Sequence, residues 1–363
     1  AFSKCRFCPK MPSDMSSRVS INIVSWNSMD YLPDLLKSIF QQTYQDFTVR
    51  VIDNASTDGV IEFLRAKYPQ VTVIRNTRNL GFGAAHNQGI RYAIDKWPQD
   101  DLDNRYVLVT NPDIILSPTF LERLVEEADR HPETGSFGGK LLRAFGENVG
   151  DEVLKDTVQS DLIDSTGLRA DRKRWVHERG AGEMDDGQYD EMREVFGVSA
   201  ALCLYRATAL DEMRIGDEYF DADFFAYKED VDLAWRLRSA GWKARYVPQA
   251  VAYHYRGMYG KEKMGAIERV RNRMSKSRKR SYYSTRNHLC MLVKNLTIAD
   301  GLLGLPWILT AELSRFGYVL FLETGNLAAF GEVLVWVPKM YRKRRLVMRS
   351  RCVPRRELVK WFR

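Results

Sequence analysis

The chain reads as an α/β protein: a mainly parallel sheet sandwiched by helices, followed by a basic, amphipathic, helical C-terminal region. Three observations predict this. Strand-like and helix-like stretches alternate through residues 19–142, the pattern of a parallel sheet covered on both faces. The length of 363 residues, with 45% hydrophobic content, suits one large domain or one domain plus an appendage. Near residue 275 the composition shifts to basic clusters and long apolar runs.

The elements follow in order. Residues 1–17 are polar and read as a flexible extension without a secretory leader pattern. Residues 19–25 form a strand. Leu32, Leu35, Leu36, Ile39 and Phe40 then trace the apolar stripe of an amphipathic helix. Strands are expected at 47–52, 71–74 and 106–110, and helices at 58–67 and 84–97. A further helix carries Phe120, Leu121, Leu124, Val125 and Ala128. Residues 143–193 lose this rhythm and are rich in glycine and acidic residues, so they are expected to be an insertion or mobile loop region. Order returns with a buried stretch at 195–205, a helix at 229–240 and a strand at 244–254. Together, 18–274 make the main domain and 275–363 the helical region.

The net charge of +8 is concentrated at the end of the chain, in Lys276–Arg280, Arg342–Arg345 and Arg355-Arg356. Apolar, helix-compatible runs at 289–295 and 302–322 lie between these clusters. Pro306, Glu312 and Arg315 interrupt the longer run, and charges near the centre of a span are costly. The expectation is therefore an interfacial or re-entrant helix pair on an anionic membrane surface, not a crossing. Cys203, Cys290 and Cys352 are scattered, which suits a reducing compartment. Cys5 and Cys8 form a lone C-x-x-C where a zinc ribbon needs two such pairs.

The chemistry-bearing residues collect at strand ends. These are Ser25-Trp26-Asn27, Asp53-Asn54-Ala55-Ser56, Asn79-Leu80-Gly81-Phe82-Gly83 and Asn111-Pro112-Asp113. In a parallel sheet such ends share one rim, where ligands bind. Trp26 offers a face for a base, Asp53 can accept from a base N–H, and Gly81 and Gly83 let backbone approach a ligand. A lone carboxylate at Asp113 can hold a divalent cation against a diphosphate.

In this order the motifs resemble the inverting glycosyltransferases of family 2, over residues 19–257. The resemblance rests on the four clusters above and on Val51-Ile52-Asp53-Asn54-Ala55-Ser56-Thr57-Asp58-Gly59. It extends through Ala84-Ala85-His86-Asn87-Gln88-Gly89 to Glu229-Asp230-Val231-Asp232-Leu233. The Asn-Pro-Asp form, with Tyr282-Tyr283-x-x-Arg286-Asn287 downstream, is similar to the bacterial rhamnosyltransferase branch. The resemblance implies a Rossmann-like nucleotide-sugar-binding fold and supplies roles. Asp53 reads the pyrimidine, Asn79 and Asn87 line the nucleotide pocket, and Thr110 and Asn111 face ribose and diphosphate. Asp113 binds Mg²⁺ or Mn²⁺, with His254 completing the metal site. Asp230 is the catalytic base. Glu229 and Asp232 are candidates to hold the acceptor or Arg236, and Arg236 is grouped with that acceptor set. The implied donor is dTDP-β-L-rhamnose, with a UDP-sugar as the alternative, and the implied acceptor is a lipid-linked or growing cell-surface saccharide. The expected location is the cytoplasmic face of the cell membrane.

Three other classes compete. A dinucleotide oxidoreductase would share Gly81-Phe82-Gly83, but His86 stands where its third glycine belongs. A nucleic-acid-binding protein would share the basic tail, but the apolar stretches beside it favour lipid, so no nucleic acid is expected. A non-catalytic carbohydrate-binding protein would not need both Asp113 and Asp230.

Overall fold

The computed structural model describes residues 16–148, 154–255 and 278–362. Residues 1–15, which include Cys5 and Cys8, and residues 256–277, which include Lys276, lie outside them. The first half follows the expected alternation: β1 (Val19–Ser25), α1 (Leu32–Phe40), β2 (Phe47–Asp53), α2 (Val60–Lys67), β3 (Thr72–Arg75), α3 (Phe82–Lys96) and β4 (Tyr106–Thr110). A short β5 (Ile114–Leu116) and α4 (Phe120–Arg130) come next. Helix α1 has only nine residues and no side-chain N-cap, so it would be marginal alone. It holds because Leu32, Leu35, Leu36 and Ile39 are fully buried, each contributing about 2 kcal/mol.

The 143–193 stretch, expected as an insertion or mobile loop region, contains strands. Long β6 (Thr134–Asn148) and β7 (Leu154–Ser165) pair antiparallel. β8 (Leu168–Ala170) and β9 (Val176–Glu178) form a small hairpin, and β10 (Arg193–Glu194) joins the main sheet edge. The glycines that blur the periodicity of β6 are there for packing. A Cβ on Gly138 would sit 2.3 Å from Val198, and one on Gly139 would sit 2.0 Å from the Ala250 carbonyl oxygen. β11 (Leu202–Arg206), α5 (Ala207–Glu212), α6 (Glu229–Ala240) and β12 (Lys243–Tyr255) complete the sheet-bearing part.

The strand order is β10-β12-β6-β11-β4-β1-β2-β3. β4, β1, β2 and β3 are parallel, as are β6 and β12. β11 runs antiparallel between β4 and β6, so the sheet is mixed. Helices cover both faces. One apolar cluster lies under α1, α2 and α4, and a second lies against α3, α5 and α6.

The C-terminal region is helical: α7 (Arg278–Asn295), α8 (Ile298–Leu322), α9 (Ala328–Arg349) and α10 (Arg355–Val359). It is fastened to the rest of the molecule. A third cluster joins Val231, Ala234 and Trp235 of α6 to Cys290, Met291, Ile308, Val333 and Met340. Lys294 is fully buried and bonds Asp221 and Asp232, while Lys343 bonds Asp221 and Glu218. Burial raises the Asp221 carboxyl, but Lys294 and Lys343 outweigh it and hold the group below the usual range. Of the basic cluster at 342–345, Lys343 and Arg344 thus serve internal contacts, Arg344 bonding the Val293 and Leu296 carbonyls.

Candidate active site

The strand registers bring the motifs to one rim. Ser25 pairs with Asp53, and Asp53 with Arg75, while Thr110 pairs with Ile23 two residues below. The next residues, Asn111-Pro112-Asp113, therefore rise to the level of Ser25. Asp53 is fully buried and its Oδ1 accepts from the Ser56 amide at 3.1 Å. Its Oδ2 has no hydrogen-bond partner among the described residues, with the Arg75 Nε at 3.7 Å. A buried carboxylate oxygen left unbonded costs about 1–3 kcal/mol or more, so Asp53 suits an N–H arriving from outside. The Ser25 hydroxyl is likewise buried and unbonded, and Trp26 beside it is 57% exposed.

Several other donor-side residues are framework. Asn27 accepts from the Thr57 amide at 2.9 Å and its own amide bonds Ser56, which ties two strand-end loops together. Asn54 donates to the Gly81 carbonyl and to Asn79, and Asn79 accepts from the Gly81 amide. Asn87, expected to line the nucleotide pocket, bonds within the protein. Its amide nitrogen donates to the Phe220 carbonyl, and its oxygen accepts from the Tyr219 and Phe220 amides. With those groups engaged and the residue buried, it pins the 219–220 segment to α3. Gly81 and Gly83, expected to let backbone approach a ligand, also have a close protein neighbour. What approaches them is the protein's own 220–225 segment. A Cβ on Gly81, at φ +84°, would meet the Phe225 carbonyl at 2.3 Å, and one on Gly83 would press on Phe220 and Asp221.

Asp113 and His254 meet at the next strand end. β12 pairs antiparallel with β5, setting His254 opposite Ile114, and the Tyr255 amide bonds the Asp113 carbonyl at 2.9 Å. His254 Nε2 lies 3.4 Å from Asp113 Oδ1, which is buried and makes no hydrogen bond among the described residues. His254 Nδ1 lies 2.8 Å from Asp164 Oδ2. Burial alone would lower the imidazole pKa, but Asp113 and Asp164 outweigh it and push the ring up to about 9. That negative potential attracts a divalent cation as well as a proton. The carboxylate–histidine pair also has the form that orients a metal-binding ring nitrogen. Among the described residues no cluster of three or more candidate ligands could hold a metal by itself. Asp113 and His254 fit Mg²⁺ or Mn²⁺ only as partners to ligand oxygens.

The acidic side follows β11. The Asn111 amide bonds the Ala201 carbonyl at 2.8 Å, and the adjacent Ala200 amide favours ionised Asp230. Asp230 is therefore tied to the same rim as Asp113. Burial raises the Asp230 pKa, although Lys228 and the Val231 and Ala200 amides pull against it. Glu229 is pushed up to about 8, by burial first and then by Asp230. Burial raises both adjacent carboxyls, and Lys228 and the amides favour ionisation at Asp230. Glu178 at the end of β9 was not found by sequence reasoning. Burial raises it to about 7; the Ser165 hydroxyl opposes this, and Asp230 and Asp164 add to it. Its only sequence signal was an acidic residue in a stretch without periodicity.

Of the two alternatives for Asp232, the acceptor or Arg236, the structure shows the bond to Arg236. They are buried, bond each other at 3.0 Å, and reach Lys294, Asn295, the Met213 carbonyl and the Tyr219 carbonyl. At about 100° per residue, Asp232 lies some 200° around α6 from Asp230, so both cannot face the cleft.

The loop before α6 is strained. Phe225, Tyr227 and Lys228 all have φ between 63° and 74°, conformations costing on the order of 1–3 kcal/mol each outside glycine. Helix α7 clamps it. Asn287 Nδ2 donates to the Phe224, Ala226 and Tyr227 carbonyls at 2.8–2.9 Å. Arg286 bonds the Asp223 and Phe224 carbonyls, and Tyr283 stacks on Phe225 at 5.2 Å. The Tyr282-Tyr283-x-x-Arg286-Asn287 motif thus holds the loop that delivers Glu229 and Asp230.

A cavity of about 540 Å³ lies at the opposite rim, beside Arg18, Asp103, Tyr106, Asp129, Arg206 and Trp242. Arg206 there is committed to the Thr134, Ala128 and His131 carbonyls, and ligands of open α/β sheets bind at the other rim.

Residues 20–213 match the sequence profile of glycosyl transferase family 2. The chain belongs to this family. It is 28% identical to the N-acetylglucosaminyl-diphospho-decaprenol L-rhamnosyltransferase of Mycobacterium tuberculosis over 255 residues, 67% of this chain and 77% of that protein. It is 27% identical to rhamnosyltransferase WbbL of Escherichia coli, over 65% of this chain and 83% of the relative. This glycosyltransferase is therefore rhamnosyltransferase-like. Its fold is similar to that of GalNAc-T7, solved with UDP, GalNAc and Mn²⁺, at a TM-score of 0.54, 13% identity, and 77% of this chain against 49% of that one. It is also similar to S. aureus TarS, at a TM-score of 0.51, 17% identity, and 92% of this chain against 54% of that one.

Proposed function

We propose that this glycosyltransferase moves L-rhamnose from dTDP-β-L-rhamnose to a lipid-linked saccharide, with inversion and with help from a divalent metal. One observation carries the reading. Buried Asp53 with an unbonded oxygen, Asp113 against His254, and the Glu229-Asp230 pair share one rim. The relatives named for rhamnosyl transfer, one of them to a diphospho-decaprenol acceptor, support the donor and acceptor classes.

The residues divide the work. Asp53 accepts from the pyrimidine N–H, and Trp26 offers a ring face to the base. Asp113 and His254 would hold Mg²⁺ or Mn²⁺. When bound, the ion neutralises charge on the departing diphosphate. Asp230 accepts the proton of the acceptor hydroxyl as that oxygen attacks the anomeric carbon from the face opposite the leaving group. No covalent enzyme intermediate is needed, and inversion follows from the single displacement. Burial and Asp230 raise the Glu229 pKa, while Lys228 and the Val231 and Ala200 amides favour the ionised form of Asp230.

The test is incubation of purified protein with a panel of dTDP- and UDP-sugars and a lipid-diphosphate-linked N-acetylglucosamine acceptor. Nucleotide release and the linked product are followed. Release and α-L-rhamnoside formation from dTDP-rhamnose alone support the reading. Transfer only from a UDP-sugar overturns the donor assignment.

A further inference from the structure

Helix α8 combines an anchored inner face with an exposed apolar outer face. Asp300, Gly304, Ile308, Ala311 and Val319 form its buried stripe. Within 301–322 the charged residues are Glu312 and Arg315, and both turn inward. Glu312 bonds His288 at 3.0 Å and the Trp175 indole at 3.3 Å, and Arg315 pairs with Glu312. The charges that interrupt the apolar run in sequence are therefore absent from its outer surface. That surface carries Leu302, Leu303, Leu309, Leu313, Phe316 and Phe321, with Leu302 67% and Phe321 78% exposed. At 100° per residue these positions, with Leu305 and Trp307, sweep an arc of about 200°.

The polar residues on the arc support a non-aqueous neighbour. The exposed Thr310 donates its hydroxyl to the Pro306 carbonyl at 2.6 Å, and exposed Ser314 donates to the Thr310 carbonyl at 2.7 Å. Both donors are satisfied within the helix, as hydrocarbon surroundings require. Helix α9 extends the surface with exposed Leu334 and Val335, and its last turns expose Arg342, Arg345 and Arg349. An apolar face beside arginines matches lipid tails beside anionic headgroups. No helix among the described residues is long and apolar enough to cross a membrane, so the fitting orientation lies in the plane of the interface.

We infer that the outer face of α8, with the adjoining face of α9, docks on an anionic lipid bilayer and presents the acceptor side of the cleft to it. The second half rests on the lipid-linked acceptor proposed above. The connection is direct. Arg172 lies over Trp307 at 5.5 Å, and Trp175 bonds Glu312, so α8 grips the β8–β9 hairpin. The carbonyl of Val176, next to Trp175 on that arm, accepts at 3.4 Å from Nζ of Lys228, two residues before Asp230. A saccharide carried on a membrane-embedded lipid would thus meet the cleft from its anchored side.

The experiment is flotation with vesicles of phosphatidylcholine alone or with 40% phosphatidylglycerol, containing neither donor nor acceptor, so binding is read apart from catalysis. The protein is the wild type or the triple variant Leu303→Glu, Leu313→Glu, Phe321→Glu. All three sites are exposed, so the variant is expected to keep its melting temperature and its transfer to a short water-soluble acceptor. Wild type should float with anionic vesicles, and less in high salt. The variant's partition should fall at least about tenfold. Equal flotation of both proteins overturns the docking face. So does a wild type that ignores vesicles and is instead a dimer dissociated by the substitutions. Docking by a protein that, in a separate assay, fails to transfer to a lipid-linked acceptor would leave the docking face standing and remove only its link to the acceptor.

Discussion

Asn287→Ala separates loop geometry from the chemistry it supports. The wild-type amide serves three carbonyls, those of Phe224, Ala226 and Tyr227. Phe224's carbonyl keeps Arg286 at 3.2 Å, and the other two belong to half-buried and exposed residues that water can reach. The stability cost should therefore fall near the low end of the range for lost buried bonds, about 1–2 kcal/mol. The catalytic cost should be larger. Three positive-φ residues store on the order of 1–3 kcal/mol each, and without the clamp that strain is released by moving the loop. A shift of about 1 Å in a reacting group can cost roughly 10²-fold. We expect kcat to fall about 10²-fold with donor affinity within a few-fold, because Asp53 and Asp113 lie on other strand ends. Steady-state kinetics, donor calorimetry and urea unfolding on the same variant give all three quantities. If kcat stays within threefold of wild type while stability falls, the clamp is structural only and the reasoning fails.

Other perturbations address the remaining parts. Asp113→Ala should weaken metal-dependent nucleotide diphosphate binding by at least tenfold in titration calorimetry, and EDTA should produce a comparable loss in the wild type; unchanged activity in EDTA removes the metal role. Lys294→Met removes the buried ammonium shared by Asp221 and Asp232, while Lys343 stays on the first and Arg236 and Asn295 on the second, and should cost about 1–3 kcal/mol by urea unfolding; an unchanged midpoint would show that α7 does not secure α6. Asp230 must be ionised to act, and its pKa is raised by burial. Activity should therefore drop as pH falls through that raised value, with the acid limb of kcat/KM above the usual aspartate value of about 3.9. A limb at the ordinary position contradicts a buried base.

What was legible in the sequence tracks how directly residue type reports environment. The parallel half was readable because β1, β2 and β4 are buried on both faces and α1 and α4 have clean apolar stripes. β6 was hidden because Gly135, Gly138 and Gly139 replace the alternating side chains where other segments press against the strand. Glu178 was hidden with it, since the hairpin that carries it has no pattern of its own. Asp53, Asp113 and His254 showed themselves as polar residues at strand ends, and the structure gathers them. Asn87 sits in a motif that looks like ligand contact but joins two protein segments, a distinction only three-dimensional hydrogen bonding makes. Asp232 and Arg236 lie on the same helix as Asp230, and helical geometry turns Asp232 to the opposite side. The inward aim of Glu312 and Arg315 was also invisible, because a linear run does not show which side of the helix a charge occupies.

The central claim, a base at Asp230 acting on an acceptor hydroxyl beside a separately held donor, is tested most directly by Asp230→Asn. The amide keeps the shape and cannot take the proton. A kcat loss of about 10²–10⁴-fold is expected, with dTDP-rhamnose affinity by calorimetry in Mn²⁺ within a few-fold of wild type. Near-normal turnover by the folded variant, or loss of donor binding in proportion to activity, would contradict it.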